Sequence, residues 1–194
     1  MPRDPSQTRA ALIDAARKTL QSEGFAGTTA RAIATRADVN QALVFYHFGG
    51  VDPLLLAALD ASAGERLERY RDVLGAAVTP ADKVAAARAL YREDVDGGHV
   101  TLIAELLAAS LARPELQAAL LERMQPWLEL VRTVLGEVAG TSPLGSLVDL
   151  DDAASALVAL YLGLNLLSRL DPANAQSDSL FELMDRVAPL LSTS

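Results

Sequence analysis

An all-α protein is the fold class this sequence predicts, and three observations predict it. Ala and Leu dominate, at 35 and 34 of 194 residues, and both favour helices. Strand-type residues are sparse. Aromatics make up 5% and no run alternates Val, Ile and Thr, so all-β and doubly wound α/β folds are not expected. Apolar residues recur at helical spacing along most of the chain, and a hydrophobic share of 51% suffices to bury a sizeable core.

Each helix has its own start and stop signals. The first is predicted from about Ser6 to Ser22, with Leu12, Ala15, Ala16, Thr19 and Leu20 on one stripe and Gly24 as its stop. Thr28 or Thr29 can cap a short second helix, which carries Ile33 and Ala34 inward and ends near Arg36. Ala37-Asp38-Val39 reads as a tight turn. Asn40 is a good N-cap for a third short helix, Gln41 to about Phe48, which Gly49-Gly50 ends. Longer helices follow, from about Asp52 to Leu74, Pro80 to Val95 and Val100 to Leu111. Pro114 can start the next, since its missing N–H is an orphan there anyway. Pro126 should kink or split that helix. Gly140 to Gly145 reads as a loop. Asp149, Asp151 and Asp152 then precede a very apolar helix over 153–170, which Asp171-Pro172 ends. A last helix is expected from about Ser179 to Leu191.

Several classes are excluded early. Cys is absent, which removes disulfides, thiolate chemistry and Cys-ligated zinc. His47 and His99 stand far apart and lack metal-ligand spacing, so no metal site is expected. No GxSxG elbow and no GxxxxGK[ST] loop occurs, and neither an enzyme nor a cofactor is expected. Charges throughout residues 1–18 leave no apolar signal segment. The longest charge-free apolar stretch, Ala153 to Ser168, is too short for a membrane span. A soluble, cytoplasmic protein is the expectation.

Charge is distributed unevenly. Residues 1–50 hold six basic and four acidic groups, whereas the rest of the chain holds 11 and 21. A weakly basic head on an acidic body can still present one face to phosphates. Within that head, two short helices joined by a three-residue turn have the outline of a helix-turn-helix. Ala34 is small where the helices would cross. Val39 and Val44 are apolar where the third helix would pack on the first. The turn needs a left-handed residue, and Asp38 tolerates that conformation better than most.

The stretch Thr8–Leu59 resembles the amino-terminal domain of the TetR family of one-component transcriptional regulators. The matching residues are Thr8-Arg9, Ile13, Ala16, Gly24-Phe25, Thr28-Thr29, Arg31-Ala32-Ile33-Ala34, Ala37, Val39, Val44 to Gly49, and Leu54-Leu55. The resemblance covers about a quarter of the chain. It implies a DNA-binding helix-turn-helix domain over 1–50 and a larger helical effector-binding and dimerisation domain over 51–194.

It also implies roles for particular residues. The third helix would enter the major groove of double-stranded DNA with Asn40, Gln41, Ala42 and Leu43 leading. Gln41 can pair with adenine, and Ala42 and Leu43 can touch a thymine methyl. Arg31 would reach a guanine or a phosphate. Tyr46, His47 and Thr28 or Thr29 would hold phosphate oxygens. Three departures from the family pattern predict weaker non-specific binding: Asp38 where Gly is usual, Phe45 for a frequent Tyr, and Val51 for a frequent Lys.

For the body, the family implies a homodimer and a small-molecule effector. The helix over 153–170 is apolar nearly all round and should be buried on all sides, which a small monomer rarely achieves. Leu157, Leu160, Leu164, Asn165 and Leu167, with Leu183 and Val187 of the last helix, are the expected dimer contacts. Arg88, Tyr91, Leu106, Leu107, Trp127, Leu128 and Tyr161 are the expected lining of a pocket for an apolar effector. The implied function is a ligand-released repressor on an inverted-repeat operator. A helical small-molecule-binding or scaffold protein with weakened DNA binding is the alternative.

Overall fold

The structure is a computed structural model, and it describes residues 4–140, 149–170 and 176–188. Among them are nine helices and no strand: α1 Pro5–Gly27, α2 Ala30–Ala37, α3 Ala42–Phe48, α4 Val51–Ala76, α5 Pro80–Asp96, α6 His99–Ser110, α7 Pro114–Ala139, α8 Leu150–Leu170 and α9 Gln176–Val187. The all-α expectation holds. No single described helix is long and apolar enough to cross a membrane.

The chain divides into two compact units. One comprises residues 1–65 and 101–123, the other 66–100 and 124–194. These are units of packing, which is a different cut from a division by binding role.

The first unit is built on the α1 stripe. Leu12, Ala16 and Leu20 are fully buried and Ala15 nearly so, against Ile33 and Ala34 of α2, Val44 of α3 and Leu54 and Leu55 of α4. Leu102 and Leu106 of α6 and Leu116 and Leu120 of α7 complete this core. Thr19 sits in it because its hydroxyl donates to the Ala15 carbonyl, 2.8 Å away, which satisfies the one polar group the stripe carries. Two arginines tie the periphery. Arg113 donates to both oxygens of Asp52 at 3.0 Å and stacks 4.8 Å from the Phe25 ring centre. Arg123 forks onto Asp60 at 2.7 and 2.8 Å.

Several boundaries differ from expectation for local reasons. Gly24 interrupts α1 with φ 67°, but helical structure resumes to Gly27. The Phe25 N–H freed by that break donates to the Glu105 carboxylate at 2.8 Å, so the interruption leaves no orphan donor. Pro126 does not split α7, which runs through it. Glu122, whose carbonyl loses its partner, is exposed, as is Pro126, so water can replace the missing bond. At α8 the helix starts at Leu150, since Asp149 accepts from the backbone N–H groups of Asp151 and Asp152. The two acids lie inside the first turn, where they favour the helix dipole. α9 begins at Gln176, earlier than expected; residues 189–194 of the expected end, the loop over 141–148 and the Asp171-Pro172 stop lie outside the described residues.

The second unit carries its own apolar cluster of Val84, Tyr91, Phe181 and Ala188, with Ala87, Tyr161 and Met184 against it. A capping box between Thr79 and Asp82 starts α5, pairing two otherwise orphan N–H groups. Lys83 is buried and spends its charge on the Leu74 carbonyl at 3.0 Å and Glu137 at 2.7 Å.

Candidate nucleic-acid interface

Local chemistry sets the angle between α2 and α3. Thr29 caps α2, its hydroxyl accepting from Ala32 N–H at 3.1 Å. Asp38 ends α2 in the left-handed conformation, φ 55° and ψ 51°, and is the sole described non-glycine residue with positive φ. Its N–H and that of Val39 return to the Thr35 and Ala34 carbonyls at 3.2 and 3.0 Å, closing the helix end as a left-handed cap does. Asn40 then turns the chain into α3, its side-chain oxygen accepting from Ala42 N–H at 2.8 Å. Gln41 occupies the cap position itself without a side-chain bond.

The result is a helix held by little of its own surface. Val44 is the buried residue of α3, with Leu43 and Phe48 packed partly on the core. Gln41, Ala42 and Asn40 are exposed; Tyr46 is 80% exposed and Phe45 52%. His47 is half-buried, edge-on to Tyr46 at 5.0 Å. The leading turn therefore offers an amide and a methyl outward and Tyr46, one turn on, a phenol, groups that match base edges, thymine methyls and phosphate oxygens.

The two threonines separate. Thr28 is buried and its hydroxyl donates to the Gly24 carbonyl at 2.6 Å, so Thr29 is the one exposed beside the α2 start. Cations separate too. Arg17 and Lys18 both hold Asp14, at 3.0 and 2.7 Å, and the Lys18 bond is the largest influence keeping that carboxyl below the usual carboxylate range. Arg36 pairs with Glu23 at 3.1 Å, and Arg9 lies 5.1 Å over the Phe48 ring. Arg31 is exposed and makes no ion pair among the described residues. An open depression of about 490 Å³ beside α2 is lined by Glu23, Thr29, Arg31, Ala32, Thr35 and Arg36. Thr35, missed in the sequence reading, stands four residues from Arg31 and shares its exposed face.

The residues expected in a pocket fall into both units. Leu106 is fully buried in the first unit's core with Leu107 against it. Arg88, Tyr91, Trp127, Leu128 and Tyr161 belong to the second. There a polar network surrounds Asp94, which is 4% exposed. Arg66 pairs with it, and the Tyr70 and Tyr161 hydroxyls donate to it. Burial pushes both phenols up and the Arg66 guanidinium down. It also pushes buried His99 down to about 4, with Arg66 adding to the effect. Arg66, Tyr70, Asp94 and His99 escaped the sequence reading. The available signal was an acid at position 94 on the same α5 stripe as Val84, Ala87 and Tyr91.

The expected dimer residues are partly open in the single chain. Leu160 is 41% exposed, Leu167 48%, Leu183 52% and Val187 41%, while Leu157 and Leu164 are half-buried. The Asn165 side chain lies outside the described set.

The model of "Bacterial regulatory proteins, tetR family" matches residues 12–58. An HTH-type transcriptional repressor of Mycobacterium tuberculosis (strain ATCC 25618 / H37Rv) is 37% identical over 102 residues, 50% of this chain and 52% of its own length. The match thus spans about half the length of such relatives. The multidrug binding protein EbrR, solved with imidazole, is 31% identical with a TM-score of 0.66, covering 100% of this chain and 95% of that one. The fatty acid degradation regulator FadR of Bacillus halodurans shares the fold at 15% identity, with a TM-score of 0.78 over 97% and 96% of the two chains.

Proposed function

The chain belongs to the TetR family of bacterial regulatory proteins, and on that premise we propose that it is a one-component DNA-binding regulator acting in the cytoplasm. Relatives in this family are transcriptional regulators and not enzymes. Residues 1–50 read DNA, residues 51–194 take a small effector and pair two copies, and effector binding releases an inverted-repeat operator. Repression is the outcome this arrangement favours.

One observation carries the reading. The Asp38 turn presents α3 with Gln41, Ala42 and Tyr46 exposed, beside an unpaired Arg31 and an exposed Thr29. Gln41 and Ala42 would meet bases; Arg31, Thr29 and Tyr46 would meet phosphates. Thr28 would act through the loop it holds. A dimer would place two such helices about one duplex turn apart, or a multiple of it. Ligand bound to the body would favour a conformer of lower DNA affinity, and the fall equals the coupling energy. EbrR, a multidrug binding protein solved with imidazole, supports a small-molecule ligand for this chain.

A gel shift with DNA from upstream of the protein's own gene tests this. Affinity must fall as salt rises, and Arg31→Ala must lower the salt slope by about 0.9 if the guanidinium meets a phosphate. A band that never shifts at low salt would instead favour the helical small-molecule-binding alternative, to which the exposed Asp38 carboxylate lends weight.

A further inference from the structure

Resting on the reading that the body takes an effector, we propose that this effector is an uncharged apolar molecule bearing one hydrogen-bond acceptor, a carbonyl or ester oxygen, received by Tyr91 and Arg88. Tyr91 is 5% exposed. Its ring stands edge-on to Tyr161 at 5.5 Å and against Phe181 at 5.6 Å. Its hydroxyl is buried and finds no hydrogen-bond partner among the described residues. Arg88, one turn earlier on the same helix face, lies 5.4 Å over Phe181 and pairs with Asp185 at 2.5 Å. Its Nε is nonetheless buried and unpartnered among the described residues, as is Nε of Arg66. Buried polar groups almost always find a partner. These three can all donate, and the two guanidinium nitrogens can do nothing else. These three donors have no acceptor among the described residues.

Charge decides the class of molecule. Asp94 already accepts from Arg66, Tyr70 and Tyr161, and Asp185 balances Arg88. His99 is neutral at neutral pH. Glu93 is spent on Arg69 at the surface. The formal charge of the cluster is therefore zero. A carboxylate ligand would bring an uncompensated charge into a buried site, and an organic cation would find Asp94 fully engaged. A neutral acceptor satisfies the donors and leaves the balance intact. The rings pack edge to face, so the guest has to part them. Trp127, the single tryptophan, stands edge-on to Tyr70 at 5.2 Å and reports that event.

The full chain, without DNA, is titrated with methyl decanoate, decanoate and decyltrimethylammonium while Trp127 emission is followed. The ester is expected to give a saturable change at lower concentration than either ion. Tyr91→Phe should weaken the ester about tenfold, the effect of one lost hydrogen bond. It should also raise Tm without ester, because it removes a buried hydroxyl that has no partner; a purely structural tyrosine would show the opposite. Tighter binding of either ion, no saturable response to the ester, or unchanged affinity in Tyr91→Phe overturns the proposal. A chain that binds the ester but never shifts DNA keeps this site and loses the regulator reading. A chain that shifts DNA and ignores the ester loses only this site.

Discussion

α3 and α8 both leave large side chains in water, and they differ in what they show. α3 and its cap residue show a phenol, an amide and a half-covered imidazole beside the Phe45 ring, 52% exposed, with Val44 as the one fully buried anchor. α8 and α9 show aliphatics without a polar tip: Leu160, Leu166, Leu167, Leu183 and Val187, each between 41% and 54% exposed. Exposed groups that can hydrogen-bond suit a partner with polar edges. Clustered bare aliphatics suit only another apolar surface. Exposure alone identifies no partner, but the chemistry of the exposed groups separates a duplex from a second copy.

The sharpest way to break this contrast is to charge the aliphatic face. Leu160→Glu with Leu167→Glu, two turns apart on one side of α8, should give monomers by sedimentation. Operator affinity should fall at least about a hundredfold, since the two half-sites would no longer be held together. A dimer that persists removes this face from the interface.

Acid should act on the second unit through His99. Folded His99 titrates near 4, against 6.5 for the free side chain, so the unfolded chain takes up the proton first. Stability is complete above about pH 6.5 and is lost as the pH falls toward 4, by up to about 3 kcal/mol from this residue. Denaturation curves across that window should flatten in His99→Gln. An equally steep pH dependence in the variant would assign the effect to carboxylates.

On the α3 side, Gln41→Ala should relax discrimination at one base pair of each half-site by about 1–3 kcal/mol. Binding measured against single-base operator variants decides this, and equal weakening on every sequence would mean that Gln41 does not read bases. The smallest effect is expected from Asp38→Gly. It relieves a side chain in the left-handed region and should add about 0.5–1 kcal/mol of stability by thermal melting. It should also tighten binding to random duplex, since an exposed carboxylate is removed from beside the reading helix.

Much of the first unit was legible in the sequence because local rules suffice there. The α1 stripe, the inward Ile33 and Ala34 and the left-handed Asp38 each follow from spacing or turn chemistry within a few residues. Thr28 and Thr29 could not be told apart, because the difference depends on where the carbonyl of the interrupted Gly24 turn points. Pro126 misled for a similar reason: its effect depends on whether the freed carbonyl faces water. The Asp94 network was invisible because its members come from α4, α5, α6 and α8, and no short window contains them.

Arg113 makes a last point about mutational tolerance. One guanidinium bonds both Asp52 oxygens through a single nitrogen and lies 4.8 Å over the Phe25 ring centre, and the second task draws on its planar shape. A lysine there would keep the plus sign and forfeit the geometry. In a saturation screen Lys should rank between Arg and Gln, because charge keeps the ion pair while only the planar shape keeps the ring contact.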